Sequence, residues 1–271
     1  VLSGTPYEER ARSLAEEVVW HTDRPHDEDD TITRIQNADC IINIRSSVKF
    51  TRNVLAHCPK LRILSVWGTG IDHVDLAAAE EFGITVSNTP AYGAPYVAEH
   101  ALTLALAVSR QIVQSDQYIR EGGWTRGFIN ELYGKTLGVI GTGAIGQRMI
   151  QLGKGIGMNV CAWTLNPNDQ RSQQYGVPFI PLTDLIDQSD VISIHLALSE
   201  TTRNLISSTE LASMKRNSIL INTARGAIVD EVALFKELQN GRLKAAFDVY
   251  WHEPYKGRLN ELYPDPFYMT P

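Results

Sequence analysis

Cysteine is scarce. Cys40, Cys58 and Cys161 are the only three in 271 residues, and no two are spaced as metal ligands or as part of a disulfide framework. Each falls in or beside an apolar run, so all three are expected to be buried, reduced thiols, which suits a cytoplasmic protein. Basic charge is also short: 25 Lys and Arg face 31 Asp and Glu, a net charge of −6. With no basic field or cluster, neither nucleic acid nor an anionic membrane is an expected partner. Long apolar runs are missing too, since the longest, Ala101 to Val108, cannot span a bilayer. The first residues lack the basic start and apolar core of a signal peptide. They also lack an initiator Met, which leads us to expect an incomplete N-terminus. What remains is 43% hydrophobic and 21% charged, an ordinary globular composition sized for one large domain or two medium ones.

Short apolar strands alternate with helices along the chain. Thr5-Pro6-Tyr7-Glu8 predicts a helix start with a capping box, running to about Glu17 and feeding a strand Val18 to His21. A helix starting in the acidic stretch Asp27 to Asp30, a strand Cys40 to Ile44, a helix near Asn53 to His57 and a strand Leu61 to Val66 follow. Asp75 caps a helix over Leu76 to Glu81, Gly83 ends it, and Ile84 to Ser87 is the next strand. A long apolar helix, Val97 to Arg110, bridges to a second unit after the polar segment Gln114 to Glu131. Strands then recur at Thr136 to Ile140, Asn159 to Trp163, Val191 to His195, Ser218 to Asn222 and Ala245 to Val249. Continuous apolar runs such as Ile219-Leu220-Ile221 indicate strands buried on both faces. The fold class is α/β, with two doubly wound parallel-sheet domains.

The strongest local signal is Lys135 to Gly146, in which Gly141, Gly143 and Gly146 form G-x-G-x-x-G directly after a strand and at the mouth of a helix. Gly141 allows the tight turn, Gly143 the close approach of a pyrophosphate, and Gly146 the packing of helix on strand. The free N–H groups near Ala144 and Ile145 would face the phosphates. The acid that usually meets the adenosine ribose is replaced by Thr164. NAD and NADP therefore both remain open, with Arg171 either a partner for a 2′-phosphate or a solvated helix residue.

By these residues the chain resembles the D-isomer-specific 2-hydroxyacid dehydrogenases. The resemblance rests on Gly68-Thr69-Gly70-Ile71-Asp72-His73-Val74-Asp75, Val97-Ala98-Glu99-His100, the glycine loop, His195 to Ile206, Asn222-Thr223-Ala224-Arg225-Gly226, Asp248 and Glu253-Pro254. It implies a flavodoxin-like substrate domain over residues 1–98, whose returning C-terminal segment is missing, and a Rossmann NAD(P)-binding domain over 99–271. It implies hydride transfer between NAD or NADP and a small 2-oxo or D-2-hydroxy acid, and a homodimer pairing through Gln114 to Phe128, with Tyr118, Trp124 and Phe128 as contacts. Arg225 would grip the substrate's carboxylate and carbonyl oxygen. Thr69 and Gly70 match the carboxylate-binding loop, although an ordinary glycine turn stands equally open for them. Leu196, Thr202, Thr223, Ala224 and Asp248 match positions lining the nicotinamide half of the site. Glu253 matches the glutamate that holds and charges the catalytic histidine.

That histidine should directly follow a Thr-Pro pair. Phe267-Tyr268-Met269-Thr270-Pro271 supplies a strand and that pair, and the sequence ends there. His100, His195 and His252 stand in the wrong motifs. The expectation is a sequence that continues past Pro271 with His, with the alternative of a non-catalytic, dinucleotide-sensing scaffold of the corepressor type. Asn88-Thr89-Pro90-Ala91-Tyr92-Gly93 is closest to the glycerate dehydrogenase and hydroxypyruvate reductase branch. That implies a small, unphosphorylated substrate of the glyoxylate or hydroxypyruvate kind.

Overall fold

The computed structural model describes residues 4–44, 48–124 and 130–253. In chain order its early elements are α1 (Pro6–Leu14), α2 (Glu28–Ile35), β1 (Cys40–Ile44), α3 (Arg52–Ala56), β2 (Ile63–Trp67), α4 (Leu76–Glu81) and β3 (Thr85–Asn88). There follow α5 (Ala94–Ser109), α6 (Ile112–Arg120), β4 (Thr136–Ile140), α7 (Ala144–Gly155), β5 (Asn159–Trp163), α8 (Asp169–Tyr175), α9 (Leu182–Gln188) and β6 (Val191–Ile194). The last are α10 (Ser208–Ser213), β7 (Ile219–Asn222), a 3₁₀ turn (Gly226–Ile228), α11 (Glu231–Gln239) and β8 (Lys244–Phe247). Among the described residues two units separate: those within Val1–Ser65 and His73–Ser87, and those within Val66–Asp72 and Asn88–Pro271.

The first unit is built on a three-stranded sheet in the order β1-β2-β3. Its helices start where short polar side chains satisfy free backbone N–H groups: Asp27 accepts from Asp30, Thr51 from Val54 and Asp75 from Ala78. Gly83, with φ of +70°, ends α4. Two expectations fail here. Thr5 makes no capping bond through its side chain, because the Glu8 carboxylate instead accepts from Gly4 N–H and pairs with Arg12. Val18 to His21 forms no strand, since an extended segment becomes one only where a neighbour completes its ladder, and none does among the described residues. Cys40 is a third correction: it opens β1 at the sheet edge and is exposed, whereas Cys58 and Cys161 are buried.

The second unit has a parallel five-stranded sheet in the order β5-β4-β6-β7-β8. A short sixth rung lies outside β5, where Ala162 N–H donates to Pro178 O and Ile180 N–H donates to Ala162 O, each at 3.0 Å. Counting that rung, the sheet has the 3-2-1-4-5-6 order of a doubly wound dinucleotide fold. Alternate residues of each strand feed opposite faces. Ile219 and Ile221 join one core cluster with Ala98, Ala101 and Met149 from α5 and α7, while Leu220 joins the other with Leu185, Leu211 and Leu234 from α9, α10 and α11. Both faces being covered, the strands read as unbroken apolar runs. α6 starts at Ile112, just after the bridging helix, and runs into the polar segment, whose composition does not announce a helix. Among the described residues no helix is long and apolar enough to cross a membrane.

Candidate active site

The strand order reverses between β5-β4 and β4-β6, and the crevice beyond the strand ends at that point is where such sheets take their ligands. The glycine loop is located there. Gly141, at φ of +97°, donates its N–H to Trp163 O at 2.8 Å and backs onto the His195 carbonyl, so any side chain would collide. Gly146 lies against Gly141 O, which closes the turn and lets α7 start at Ala144. No atom lies within 4 Å of where a Cβ on Gly143 would point, so the loop's open side can admit a ligand. The first N–H groups of the 12-residue α7, from Ala144 and Ile145, are at its mouth. Thr164 follows β5 beside this loop, and Arg171 reaches it from α8, donating through Nη2 to the carbonyl of Thr142 at 2.6 Å and its hydroxyl at 2.7 Å.

The turn after β7 carries Arg225. Asn222, fully buried, accepts from Ala224 N–H through Oδ1 at 3.0 Å and donates through Nδ2 to Arg225 O at 2.9 Å, fixing the turn from within. Nothing in the motif reading assigned Asn222 this part; the signal was a polar residue ending the apolar strand Ile219-Leu220-Ile221. The guanidinium of Arg225 is held on two sides. Nε and Nη2 donate to Asp72 Oδ2 and Oδ1 at 3.2 and 2.9 Å, and Nη1 donates to Ala224 O at 2.8 Å. A Cβ on Gly70 would fall on that guanidinium. Thr69, Gly70 and Arg225 are thereby brought together within the second unit. The loop bearing them is stapled by Asn88 Nδ2 to Thr69 O at 2.8 Å and by Thr89 N–H to Gly68 O at 3.0 Å.

The remaining expected residues are placed as follows. Leu196 packs its side chain on the glycine turn. Thr202 is buried and spends its hydroxyl inside its own loop, accepting from Ser199 N–H and donating to Ala197 O. Thr223 Oγ1 is buried without a hydrogen-bond partner among the described residues, so a donor or acceptor is still owed to it. Asp248 pairs with His100 at 3.5 Å, and the exposed Glu253 accepts from Tyr250 N–H at 3.1 Å. No ion pair or hydrogen bond joins Glu253 to Arg225 among the described residues. His195 bonds Ser193 through Nε2 at 2.9 Å, its Nδ1 has no partner among the described residues, and burial pushes its pKa down to about 4. It is therefore neutral at physiological pH. Pro254, Phe128 and Phe267 to Pro271 lie outside the described residues. A dinucleotide fits this site on three observations: the tight turn at Gly141 and Gly146, the open side at Gly143, and the unsatisfied Thr223 hydroxyl.

Fold and site together define a dinucleotide-binding oxidoreductase domain. The family described as D-isomer specific 2-hydroxyacid dehydrogenase, NAD binding domain, matches residues 102–271. The glyoxylate reductase of Korarchaeum cryptofilum is 34% identical over 243 residues, which cover 87% of this chain and 73% of that enzyme. The D-3-phosphoglycerate dehydrogenase of Methanocaldococcus jannaschii is 37% identical over 232 residues, 84% of this chain but only 44% of that longer protein. The crystal structure of the TT0316 protein from Thermus thermophilus superposes with a TM-score of 0.84 at 33% identity, covering 96% of this chain and 83% of that one. The chain belongs to the D-isomer specific 2-hydroxyacid dehydrogenase family. It is accordingly a nicotinamide-dependent oxidoreductase of 2-hydroxy and 2-oxo acids.

Proposed function

We propose that the protein reduces a small, unphosphorylated 2-oxo acid of the glyoxylate or hydroxypyruvate kind, with Arg225 as the residue that grips it. The observation carrying this reading is the approach of Arg225 to Gly70: a planar cation lies against a glycine turn that only the absence of a side chain lets it reach. When bound, the nicotinamide ring supplies or accepts the hydride. Arg225 orients the 2-oxo acid by its carboxylate and carbonyl oxygen and stabilises the charge that develops on that oxygen. Thr69 and Gly70 hold the far carboxylate oxygen. Glu253 is the carboxylate that would raise the pKa of a proton-donating histidine beside it, so that the histidine gives the oxygen its proton. Asp72 already offsets the charge of Arg225, which favours a monoanion over a phosphorylated acid carrying further negative charge.

The glycine loop, Ala144, Ile145, Leu196, Thr223, Ala224 and Asp248 would bind the dinucleotide, and Thr202 would shape the loop beside it. Both NAD and NADP are proposed as cofactors, the second because Arg171 brings a cation to the loop where Thr164 replaces the usual acid. A homodimer is proposed through α6, which exposes Ile112, Val113, Tyr118 and Ile119, with Trp124 exposed just beyond it. A cytoplasmic location is proposed from the three free thiols. The substrate domain would end near residue 98, where the bridging helix leads into the nucleotide domain. Steady-state assays of the full-length protein with glyoxylate, hydroxypyruvate, pyruvate and 3-phosphohydroxypyruvate test the substrate reading. The highest kcat/KM should fall on one of the first two, and a preference for the phosphorylated acid would overturn it.

A further inference from the structure

We infer that Asp72 is a positioning residue for the reaction: it holds the Arg225 guanidinium in its substrate-gripping orientation before substrate arrives. This rests on the reading of Arg225 as the group that binds the substrate carboxylate. An arginine side chain turns about four bonds and, left alone on a partly exposed turn, samples many orientations, so a substrate binding to it must meet the cost of fixing it. Here the cost is already met. Asp72 takes the Nε–Nη2 edge of the guanidinium with both carboxylate oxygens, and Ala224 O takes a proton of Nη1. These three bonds use three of the five N–H donors and leave one on each of Nη1 and Nη2. A carboxylate oxygen or a carbonyl oxygen of the substrate can take these remaining charged donors.

The backbone enforces the same arrangement. A Cβ on Gly70 would overlap Arg225 Nη2 and come within 3.0 Å of Asp72 Oδ1, so glycine at this position is what allows cation and carboxylate to meet beside the turn. Asp72 is two residues past Gly70 on the loop stapled by Asn88 and Thr89, so the loop that offers backbone N–H groups to the substrate also sets the angle of the arginine. The pair is partly exposed, with 36% of the Arg225 side chain and 28% of the Asp72 side chain accessible, which leaves the guanidinium reachable.

Charge and positioning make opposite predictions. By charge alone, removing a carboxylate beside an anion-binding cation should tighten substrate binding. By positioning, it should weaken binding, because the freed arginine must be ordered by the substrate. In the full-length protein, Asp72→Ala and the equal-sized Asp72→Asn are compared with wild type, Arg225→Ala and the double variant D72A/R225A. KM and kcat are measured for glyoxylate, and the NADH dissociation constant by fluorescence titration. We expect D72A to raise KM about tenfold, D72N to raise it severalfold, NADH affinity to stay within about twofold, and D72A to add nothing in the R225A background. An unchanged or lowered KM in both Asp72 variants, alongside a large effect of R225A, overturns the inference and leaves the substrate reading intact. Additive effects in the double variant overturn it as well, since Asp72 would then act through something other than Arg225. If R225A itself leaves KM unchanged, the substrate reading of Arg225 falls and the inference with it. Should D72A lose NADH binding, D72N decides by the same criteria.

Discussion

Arg171 on α8 and Thr142 in the middle of the glycine loop are joined by two hydrogen bonds from one nitrogen, at 2.6 Å to the carbonyl and 2.7 Å to the hydroxyl. The guanidinium also lies over the Tyr175 ring, 5.8 Å from its centroid. A cation is thus fixed at the edge of the loop where the acid that would repel a 2′-phosphate is replaced by Thr164. Arg171→Ala should weaken NADPH binding about tenfold and NADH binding less, the difference being a lost charge-assisted contact. Thr164→Asp should shift the preference toward NADH. Fluorescence titration of both cofactors checks this, and an unchanged NADPH-to-NADH ratio in both variants would contradict it.

His195 predicts a pH dependence of stability. Burial holds its folded pKa near 4, below the ordinary value of 6.5, so the unfolded chain binds more protons than the folded one between those limits. Stability contributed by this residue is full above about pH 6.5 and is lost as pH falls toward 4, to the extent of about 3 kcal/mol. In His195→Gln that part of the acid slope should vanish. Urea unfolding across pH 4 to 7 measures it, and parallel slopes for variant and wild type would contradict the assignment.

Asn222 predicts a coupled loss. Asn222→Ala removes two buried hydrogen bonds from the turn that carries Arg225, which should cost about 1–3 kcal/mol of stability. It should also lower kcat/KM for the 2-oxo acid while leaving NADH affinity nearly unchanged. Thermal unfolding and steady-state kinetics measure both, and a destabilised variant with undiminished kcat/KM would show that the turn does not position Arg225.

Much of this was legible in the residues because it depends on local chemistry. Asp75 and the acidic stretch from Asp27 announce helix starts, and strands buried on both faces of the second sheet appear as continuous runs from Thr136 to Phe247. Glycine spacing marked the loop because Gly141 and Gly146 have neighbours that no side chain permits. What escaped were relationships set by distant parts of the chain. Val18 to His21 has strand composition but no ladder partner among the described residues, and Cys40 sits in an apolar run whose strand is an edge. The rung Pro178–Ile180 shows only through its bonds to Ala162. Asp72 was quoted in a motif, but its grip on a residue 153 positions away is invisible to any pattern. Thr202 matched a lining position, yet the structure spends its hydroxyl within its own loop.

The configuration of the product tests the central claim most directly. With the full-length protein, NADH or NADPH and hydroxypyruvate, chiral separation of the glycerate formed should give the D enantiomer alone. Reduction should fall steeply in Arg225→Ala. Formation of L-glycerate, or no glycerate with either cofactor from a protein that binds both, would contradict the account.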